Sequence, residues 1–474
     1  MLLFIVPLLV LLCESKLLGG KGDFFAFKQP NGQVFAVGRN RYGQLGLGFT
    51  QTSVYFPARM LETNNVSDIS SGMSHTCVVQ QRGQTLCVGL NTYGQLGTGS
   101  NAQATVLTQV SGLERGVSEV FCGEYATCAK TTAGAAQCWG YNAESNLGLV
   151  GGGGTITSPS PSPISGFESS GVQSIALGLH HTCFLNTRGQ LLCVGKNQYG
   201  QLGDGTYATR YRPVTVALAT GTWLTSISCG FAHTCATTTL GQVLCWGDNS
   251  FGQLGVGSSG GSSAVPVYVM GFDLGGAQTV WLGSQNTFIL TAPNGGIRSF
   301  GGNGCAQLGN ANLIDQNTPV VFAKGATGFV EVRGGASTTC TINVAGEVQC
   351  LGQNSFGQLG VGSSIWDSFS LKKMLGLPAA PSPKPTSALP TNQPTNWPTA
   401  KSTKTPSIAK PSITAGPTVR ITARPTVRIT VKPTVRTTVK PTVRITAKPT
   451  ARKTTAKPVA RKATAKPTKR PTRT

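Results

Sequence analysis

Short apolar stretches alternate with polar residues and glycines along most of the chain. In the segment 66–97, VSDISSGMSHTCVVQQRGQTLCVGLNTYGQLG, the stretches VSDIS, HTCVV and QTLCVG each have the alternating pattern of a strand. Side chains of a strand point alternately to opposite faces, whereas an amphipathic helix repeats every three to four residues. The pattern therefore predicts short antiparallel strands and disfavours a helical solenoid.

A seven-residue motif, N-x-x-G-Q-L-G, recurs through the chain at intervals of 51 to 55 residues. Two copies are degenerate, NAESNLG at 142–148 and NGCAQLG at 303–309. A repeat of about 50 residues is typical of a propeller or a solenoid. The seven copies begin at Asn40, Asn91, Asn142, Asn197, Asn249, Asn303 and Asn354.

A fourth, weaker strand pattern follows the motif in each unit, often with a proline, which lacks an N–H donor and belongs on an edge strand. These prolines are Pro57, Pro213, Pro266 and Pro319. Four strands per unit and seven units predict an all-β fold, a seven-bladed β-propeller of four-stranded antiparallel blades.

The motif itself has three predicted roles. Its glycines turn the chain from the third strand towards the fourth, where a β-carbon would clash. Its asparagine and glutamine hydrogen-bond loop backbone. Its leucine is a buried anchor between neighbouring blades at Leu45, Leu96, Leu202, Leu254 and Leu359.

Ten cysteines form five pairs with nine residues between the partners, and regular spacing of this kind is typical of disulfides. Each pair flanks a three-residue connection ending in glycine, which predicts a type I turn followed by a left-handed glycine. Counting outward from that turn places the two sulfurs of a pair opposite each other, with Cα atoms about 4.5 Å apart. The predicted disulfides are Cys77–Cys87, Cys128–Cys138, Cys183–Cys193, Cys235–Cys245 and Cys340–Cys350.

Each bridge would contribute about 2–3 kcal/mol in the chain-entropy model. The two units without a pair have Ala26 opposite Ala36 and Ile289 opposite Ser299 by the same counting. Zinc is the alternative for the paired units, because a histidine precedes three of the cysteines by two residues, but a hairpin explains the spacing better. Those histidines are His75, His181 and His233, and the cysteines left over are Cys122, Cys229 and Cys305.

The first residues, MLLFIVPLLVLLCES, are almost uniformly apolar and too few to span a bilayer, a pattern that indicates a secretory signal peptide at 1–15. A buried N-terminal strand or helix is the alternative. Secretion and paired cysteines support each other, so we expect an extracellular or cell-wall protein with a propeller at 16–377. Asn65 opens the sequon Asn-Val-Ser in an expected loop and is a candidate N-glycosylation site.

The segment GFAHTCATTTLGQVLCWGDNSFGQLGVG at 230–257 resembles the repeat of the regulator of chromosome condensation family, in both its G-x-x-H-T and W-G-x-N-x-x-G-Q-L-G parts. The resemblance covers about 17–377 and implies a seven-bladed β-propeller. The founding member of that family is a nuclear guanine-nucleotide exchange factor for a small GTPase. The resemblance therefore implies exchange activity as an alternative function, in which case the N-terminus stays uncleaved and the cysteines stay reduced.

The segment 378–474 is rich in Pro, Thr and cations, and it holds 21 of the 39 Lys and Arg residues and none of the 16 acidic ones. Such a composition predicts a disordered, extended arm rather than a packed domain. We expect this arm to tether the protein to an anionic polysaccharide, mineral or membrane surface. An O-glycosylated stalk or an inert spacer is the alternative. DNA would also bind the arm, but without recognition of its sequence. The cations of its repeated octad are Arg420, Arg424, Arg428, Lys432, Arg436, Lys440, Arg444 and Lys448.

No nucleophile motif, phosphate loop or close pair of acids is present in the sequence, so we expect neither an enzyme such as a hydrolase or lyase nor a cofactor or catalytic metal. Binding is expected in the loops before the second strands, where the units differ most. Tyr125, His180 and Phe231 are the candidate anchors there, for a protein or glycan ligand. We expect a monomer.

Overall fold

The computed structural model describes residues 17–19, 21–149, 156–169, 171–364 and 367–377. The predicted signal peptide, the glycine run at 151–154 and the basic segment with its octad cations lie outside these ranges. Within them, 28 strands form seven sheets of four, and each sheet contains four consecutive antiparallel strands. This confirms the predicted seven-bladed propeller.

The blades are numbered in chain order. Their strands are, in blade 1, β1 (Leu17–Gly19), β2 (Phe24–Lys28), β3 (Val34–Asn40) and β4 (Gln51–Arg59); in blade 2, β5 (Val66–Ser71), β6 (His75–Gln80), β7 (Thr85–Gly89) and β8 (Ala104–Gln109); in blade 3, β9 (Val117–Cys122), β10 (Ala126–Thr131), β11 (Ala136–Tyr141) and β12 (Thr157–Pro163); in blade 4, β13 (Val172–Leu177), β14 (His181–Asn186), β15 (Leu191–Gly195) and β16 (Arg210–Thr215); in blade 5, β17 (Leu224–Cys229), β18 (His233–Thr238), β19 (Val243–Asp248) and β20 (Ser262–Tyr268); in blade 6, β21 (Ala277–Leu282), β22 (Asn286–Thr291), β23 (Gly296–Gly301) and β24 (Gln316–Val321); and in blade 7, β25 (Phe329–Gly334), β26 (Thr338–Asn343), β27 (Val348–Gln353) and β28 (Asp367–Lys373).

The first strand of each blade lies at the centre of the ring, where it contacts the first strand of the next blade. The fourth strands form the outer rim. The four predicted edge prolines all lie on these fourth strands, where no further strand needs their missing N–H. In the described part of the chain no helix is both long enough and apolar enough to cross a membrane.

The apolar core is divided into seven clusters, and each lies between two neighbouring blades. The motif leucine is buried in every cluster, which confirms its predicted role as an anchor between blades. Leu45, for example, packs with Phe24 of its own blade and with Ile69 and Val78 of blade 2.

Blade 7 packs against blade 1 and closes the ring. Phe25 and Val37 of blade 1 share a cluster with Ile342 and Leu359 of blade 7. At the rim, the amide of Gly362 donates to the carbonyl of Tyr55 on β4, at 3.1 Å. An equivalent bond joins blades 1 and 2, from Gly48 to Thr105, and others join blades 2 and 3, 4 and 5, and 5 and 6. The closing contact therefore repeats the contact between blades 1 and 2.

The hairpins between second and third strands have the predicted register in six of the seven blades. Cys77 faces Cys87, and in blade 1 Ala26 faces Ala36. All five cysteine pairs lie at bonding distance, with Cα atoms 4.0–4.1 Å apart, closer than expected. In blade 2 the turn differs from the predicted type I turn, because Arg82 as well as the glycine that follows it has a positive φ.

Blade 6 differs from the expectation by one residue. Phe288, not Ile289, faces Ser299, and Ile289 faces Arg298. Thr291 faces Gly296, so the connection at 292–295 has four residues, one more than in the other six hairpins. The prediction that Ile289 faces Ser299 is therefore wrong.

Candidate functional site

One end of the propeller is formed by the seven motif copies together with the loops between first and second strands; we call it the motif face. The two kinds of loop lie at the same end because the strands alternate in direction. They are hydrogen-bonded to each other, as where the amide of Leu90 donates to the carbonyl of Ser74 at 2.9 Å. The opposite end carries the hairpin turns and the connections between blades.

The motif is held together by its own side chains. Asn40 Oδ1 accepts a hydrogen bond from the Leu45 amide at 3.1 Å, and the same bond is present in all seven copies. Gln44 Oε1 accepts from the amide of Tyr42 at 2.9 Å. These bonds confirm the predicted role of the asparagine and glutamine in pairing loop backbone.

The motif glycine allows neighbouring blades to approach closely. At Gly200 φ is +76°, and a Cβ there would lie 2.4 Å from the Cα of Ala264 in the next blade. The two degenerate copies keep the left-handed backbone without glycine, with φ of 52° at Ser145 and 62° at Ala306. The loop shape is therefore imposed by the surrounding bonds even where the residue does not favour it.

A row of four rings crosses blades 2, 3 and 4 on the motif face; we call it the aromatic row. Tyr93 lies edge-on to Tyr125 at a centroid distance of 5.4 Å and to Tyr141 at 5.1 Å. Tyr141 in turn lies 5.4 Å from the ring of His180. Edge-to-face rings at these distances attract each other, so the row is a fixed surface.

The rings of the aromatic row are half-buried. Burial raises the pKa of Tyr125 and of Tyr141, and it lowers the pKa of His180, which the nearby Lys196 lowers further. The Tyr125 hydroxyl lies 3.0 Å from the sulfur of Met73. Such a surface suits a partner that offers apolar or aromatic groups with a few hydrogen-bonding atoms.

Two of the three predicted anchors, Tyr125 and His180, thus lie in one row, whereas Phe231 does not. Phe231 is 42% exposed on the next blade, where its carbonyl accepts a hydrogen bond from the Leu179 amide. Sequence analysis missed Tyr93 and Tyr141, which complete the row. Tyr93 is the aromatic residue at the third position of its motif copy, NTYGQLG. Its presence in a motif loop could have identified it as a candidate binding residue.

The first strands line a central channel with a cavity of about 500 Å³. Lys21, in the loop between β1 and β2, lies at the end of this cavity on the motif face. The Lys21 ammonium donates to the carbonyls of Leu177 and Cys229, in blades 4 and 5, and so reaches across the channel from blade 1. Burial lowers the pKa of Lys21, and the carboxylate of Glu124 opposes that shift.

Glu124 is buried beside this channel, and its Oε1 accepts no hydrogen bond from the described residues. Desolvation raises its pKa to about 7, against the attraction of Lys21. The two charges attract each other at this end of the channel. The sequence gave no indication of this pair, because the two residues are 103 positions apart.

The three histidines of the G-x-x-H-T segments lie inside the protein and join blades. His75 Nε2 lies 2.9 Å from Oγ1 of Thr127 in the next blade, and that hydroxyl donates to the carbonyl of Gln95. Since the hydroxyl has one hydrogen, the histidine must donate through Nε2–H, which leaves Nδ1 unprotonated. His181 and His233 make the same contact with Thr234 and Thr287.

Burial lowers the pKa of all three imidazoles to about 3, so they are neutral. The glycine of the segment is required by the ring, because a Cβ on Gly72 would lie 2.6 Å from His75 Nδ1. These contacts give the three histidines a recurring structural role.

Two of the three leftover cysteines lie on inner strands, and the third lies in a motif loop. Cys122 and Cys229 end the inner strands β9 and β17 and are buried free thiols, and burial raises the pKa of each to about 12. Cys122 lies near His75 and Cys77 of blade 2, and Cys229 lies near His181 and Cys183 of blade 4. Cys305 is partly exposed in the motif loop of blade 6.

Asn65 is exposed in the connection between blades 1 and 2, at the end opposite the motif face, with a positive φ of 59°. Its placement in a loop agrees with the prediction, and glycosylation remains a prediction.

The chain is similar in sequence to proteins of known families. The sequence model of the RCC1-like domain matches residues 20–276. The chain is 28% identical to the ultraviolet-B receptor UVR8 of Arabidopsis thaliana over 341 residues, covering 71% of this chain and 76% of the receptor. It is 29% identical to the secretion-regulating guanine nucleotide exchange factor of Bos taurus over 250 residues, covering 51% of this chain and about half, 54%, of that protein.

Two solved structures have the same fold. Human WBSCR16 superposes with a TM-score of 0.65 at 20% identity, covering 72% of this chain and 93% of that one. Prp20p from Saccharomyces cerevisiae superposes with a TM-score of 0.63 at 19% identity, covering 73% and 86%.

Proposed function

Because the chain belongs to the RCC1-like domain family, we propose that it is a binding protein whose motif face holds a protein partner at or outside the cell surface. The relatives support a protein-binding or exchange-factor-like regulator. The extracellular setting is supported by the apolar segment 1–15 and by five cysteine pairs at bonding distance. In this proposal the segment 378–474 retains the protein on an anionic matrix.

The aromatic row is the observation that carries the proposal. Four rings in mutual contact, each partly exposed, form a rigid patch that loses little side-chain entropy when a partner covers it. Aromatic residues of this kind dominate the energetics of protein interfaces. Tyr93 is central in the row, because it contacts the rings of both Tyr125 and Tyr141.

Exchange of guanine nucleotide on a small GTPase is the second candidate, and the name of the bovine relative favours it. It requires an intracellular protein. The same face would then hold a GTPase, and the cysteines would be reduced.

The experiment compares full-length chains applied to a cell-surface protein extract and to a cytosolic extract. Tyr93→Ala removes the centre of the row, and Leu240→Ala, at a 73% exposed position in a hairpin turn at the opposite end, is the matched control. We expect capture of a specific surface protein by the native chain and by the control, and at least a tenfold loss with Tyr93→Ala.

Equal binding by the three chains would contradict a role for the motif face. Loss of capture after deglycosylation, but not after proteolysis of the surface extract, would assign a glycan ligand instead. Capture from cytosol alone, with faster release of labelled GDP from the captured GTPase, would establish the second candidate and reject the first.

A further inference from the structure

Two sets of a histidine and two cysteines lie at equivalent blade junctions, and neither set belongs to the binding face. His75 and Cys77 of blade 2 meet Cys122 of blade 3, and His181 and Cys183 of blade 4 meet Cys229 of blade 5. In each set all residues are buried, and the three ligand atoms lie within 4.8 Å of one another. Ligand atoms of tetrahedral zinc are about 3.4–3.8 Å apart, so each set would contract by about 1 Å to close on an ion.

We propose that these two junctions bind Zn²⁺ when the hairpin disulfides are open. Soft thiolate sulfur together with imidazole nitrogen in a tetrahedral site selects zinc. A sulfur in a disulfide is no ligand, so the metal and the Cys77–Cys87 bond exclude each other. The proposal concerns the reduced chain and does not depend on the proposed function.

The imidazole is already prepared as a ligand. His75 Nε2 is occupied by Thr127 at 2.9 Å, and its Nδ1 is buried without a hydrogen-bond partner among the described residues. The same holds for His181, with Thr234 as its Nε2 partner. A hydrogen bond to the other ring nitrogen is the usual outer-shell arrangement of a metal-binding histidine.

The open hairpin supplies the fourth ligand. Cys87 lies directly across from Cys77, with Cα atoms 4.1 Å apart, and Cys193 lies in the same way across from Cys183. Each site would then have one nitrogen and three sulfurs, a common structural zinc set. On binding, Zn²⁺ forms one bond to each ligand, and the three thiol protons leave as H⁺.

The junction between blades 5 and 6 is a natural control for the two proposed metal sites. His233 and Cys235 of blade 5 occupy the same positions, but Leu282 of blade 6 stands where Cys122 and Cys229 stand in the two sets. In each case the residue pairs with the threonine that the histidine contacts, such as Leu282 with Thr287. This third junction lacks one sulfur and should not bind metal.

The test titrates Co²⁺, as a spectroscopic substitute for Zn²⁺, into the full-length chain kept reduced by a phosphine. We expect thiolate-to-cobalt absorption that saturates at about two ions per chain, in line with the two sets. Cys122→Ser or Cys229→Ser should each remove about half of the signal, and the double variant should remove all of it. Cys305→Ser, which removes a free thiol outside both sets, should change nothing.

Leu282→Cys adds the missing sulfur and should raise the stoichiometry to about three. Thermal unfolding of each reduced chain, with and without Zn²⁺, is measured in parallel, and Zn²⁺ should raise the melting temperature of the native sequence but not of the double variant. Absorption that is absent, or that is unchanged by the Cys122→Ser and Cys229→Ser variants, would overturn the proposal. So would a reduced chain that stays unfolded with and without Zn²⁺.

Discussion

At the scale of single residues, the buried histidines connect the blades. Each imidazole crosses from one blade to a threonine of the next, and that threonine holds the carbonyl of a motif glutamine. One side chain thus joins two sheets and a loop. An imidazole suits this position because it is neutral when buried and offers a directed N–H.

The buried histidines should make the fold sensitive to acid. Their pKa is about 3 when folded and near 6.5 when unfolded, so between these values the unfolded chain binds more protons and stability falls as the pH drops. We expect these three histidines to contribute an excess uptake of almost three protons on unfolding near pH 5. Denaturant unfolding measured from pH 7 to pH 5 gives that slope.

His233→Asn is the matched variant, because blade 6 carries Asn286 at the equivalent position. It should lower the proton uptake by about one. A slope that is unchanged in this variant would mean that His233 is protonated in the folded protein.

The structural role of these histidines could be predicted from their recurrence in the sequence. The backbone at Ser145 and Ala306 could not, since neither residue favours a positive φ. There the surrounding hydrogen bonds, such as that from the Leu147 amide to Asn142, impose the conformation. The backbone preference of these two residues is outweighed by hydrogen bonds between other residues of the loop, which the identity of Ser145 or Ala306 does not indicate.

At the scale of elements, the hairpin of the second and third strands is the repeated unit of stability. Its cysteine pair faces across a non-hydrogen-bonded position in five blades, and blade 1 has the same hairpin with Ala26 facing Ala36. The alanine pair shows that the geometry does not require the bridge. A bridge between the two cysteines would instead act by restricting the unfolded chain.

Replacing one bridge by the blade 1 pair should therefore lower stability without changing the fold. For the double variant Cys235→Ala and Cys245→Ala we expect a loss of about 2–3 kcal/mol in the free energy of unfolding, measured by denaturant titration under oxidising conditions. The loss should disappear when native and variant chains are compared in a strong reductant. A variant as stable as the native chain before reduction would show that Cys235 and Cys245 are not bonded.

The register of these hairpins could be predicted because it depends on a turn and a count within one unit. The exception in blade 6 arises from one extra residue in its connection at 292–295, where the other hairpins have three residues. The aromatic row was missed for a different reason. Tyr93 and Tyr141 belong to different blades and contact each other across the junction. The sequence pattern of one repeat does not show how far its side chains lie from those of the next blade.

At the scale of the whole molecule, charge is divided unevenly along the sequence. The first 377 residues are nearly neutral, whereas 378–474 carries 21 cations and no acid. Cations near an anionic surface attract it by about 1 kcal/mol each at low salt, and the attraction is screened within a Debye length. Retention on a surface should therefore depend on this segment and on ionic strength.

Binding to phosphatidylserine vesicles, measured by cosedimentation, should be strong at low salt and fall steeply as salt is raised. Changing the eight octad cations to Gln should weaken it at least tenfold, and exchanging Lys and Arg at those positions should leave it nearly unchanged. Equal binding by the Gln variant would show that the octads are a spacer. The eight positions are Arg420, Arg424, Arg428, Lys432, Arg436, Lys440, Arg444 and Lys448.

The closure of the ring bears on how such a protein changes in evolution. Every blade is built from four consecutive strands, and the last blade meets the first through packed side chains and a rim bond like that between blades 1 and 2. Among the described residues, no sheet contains strands of both the first and the last blade. Duplication or deletion of a single stretch of about fifty codons would thus add or remove one intact blade, so the number of blades can change in one genetic event without splitting a sheet.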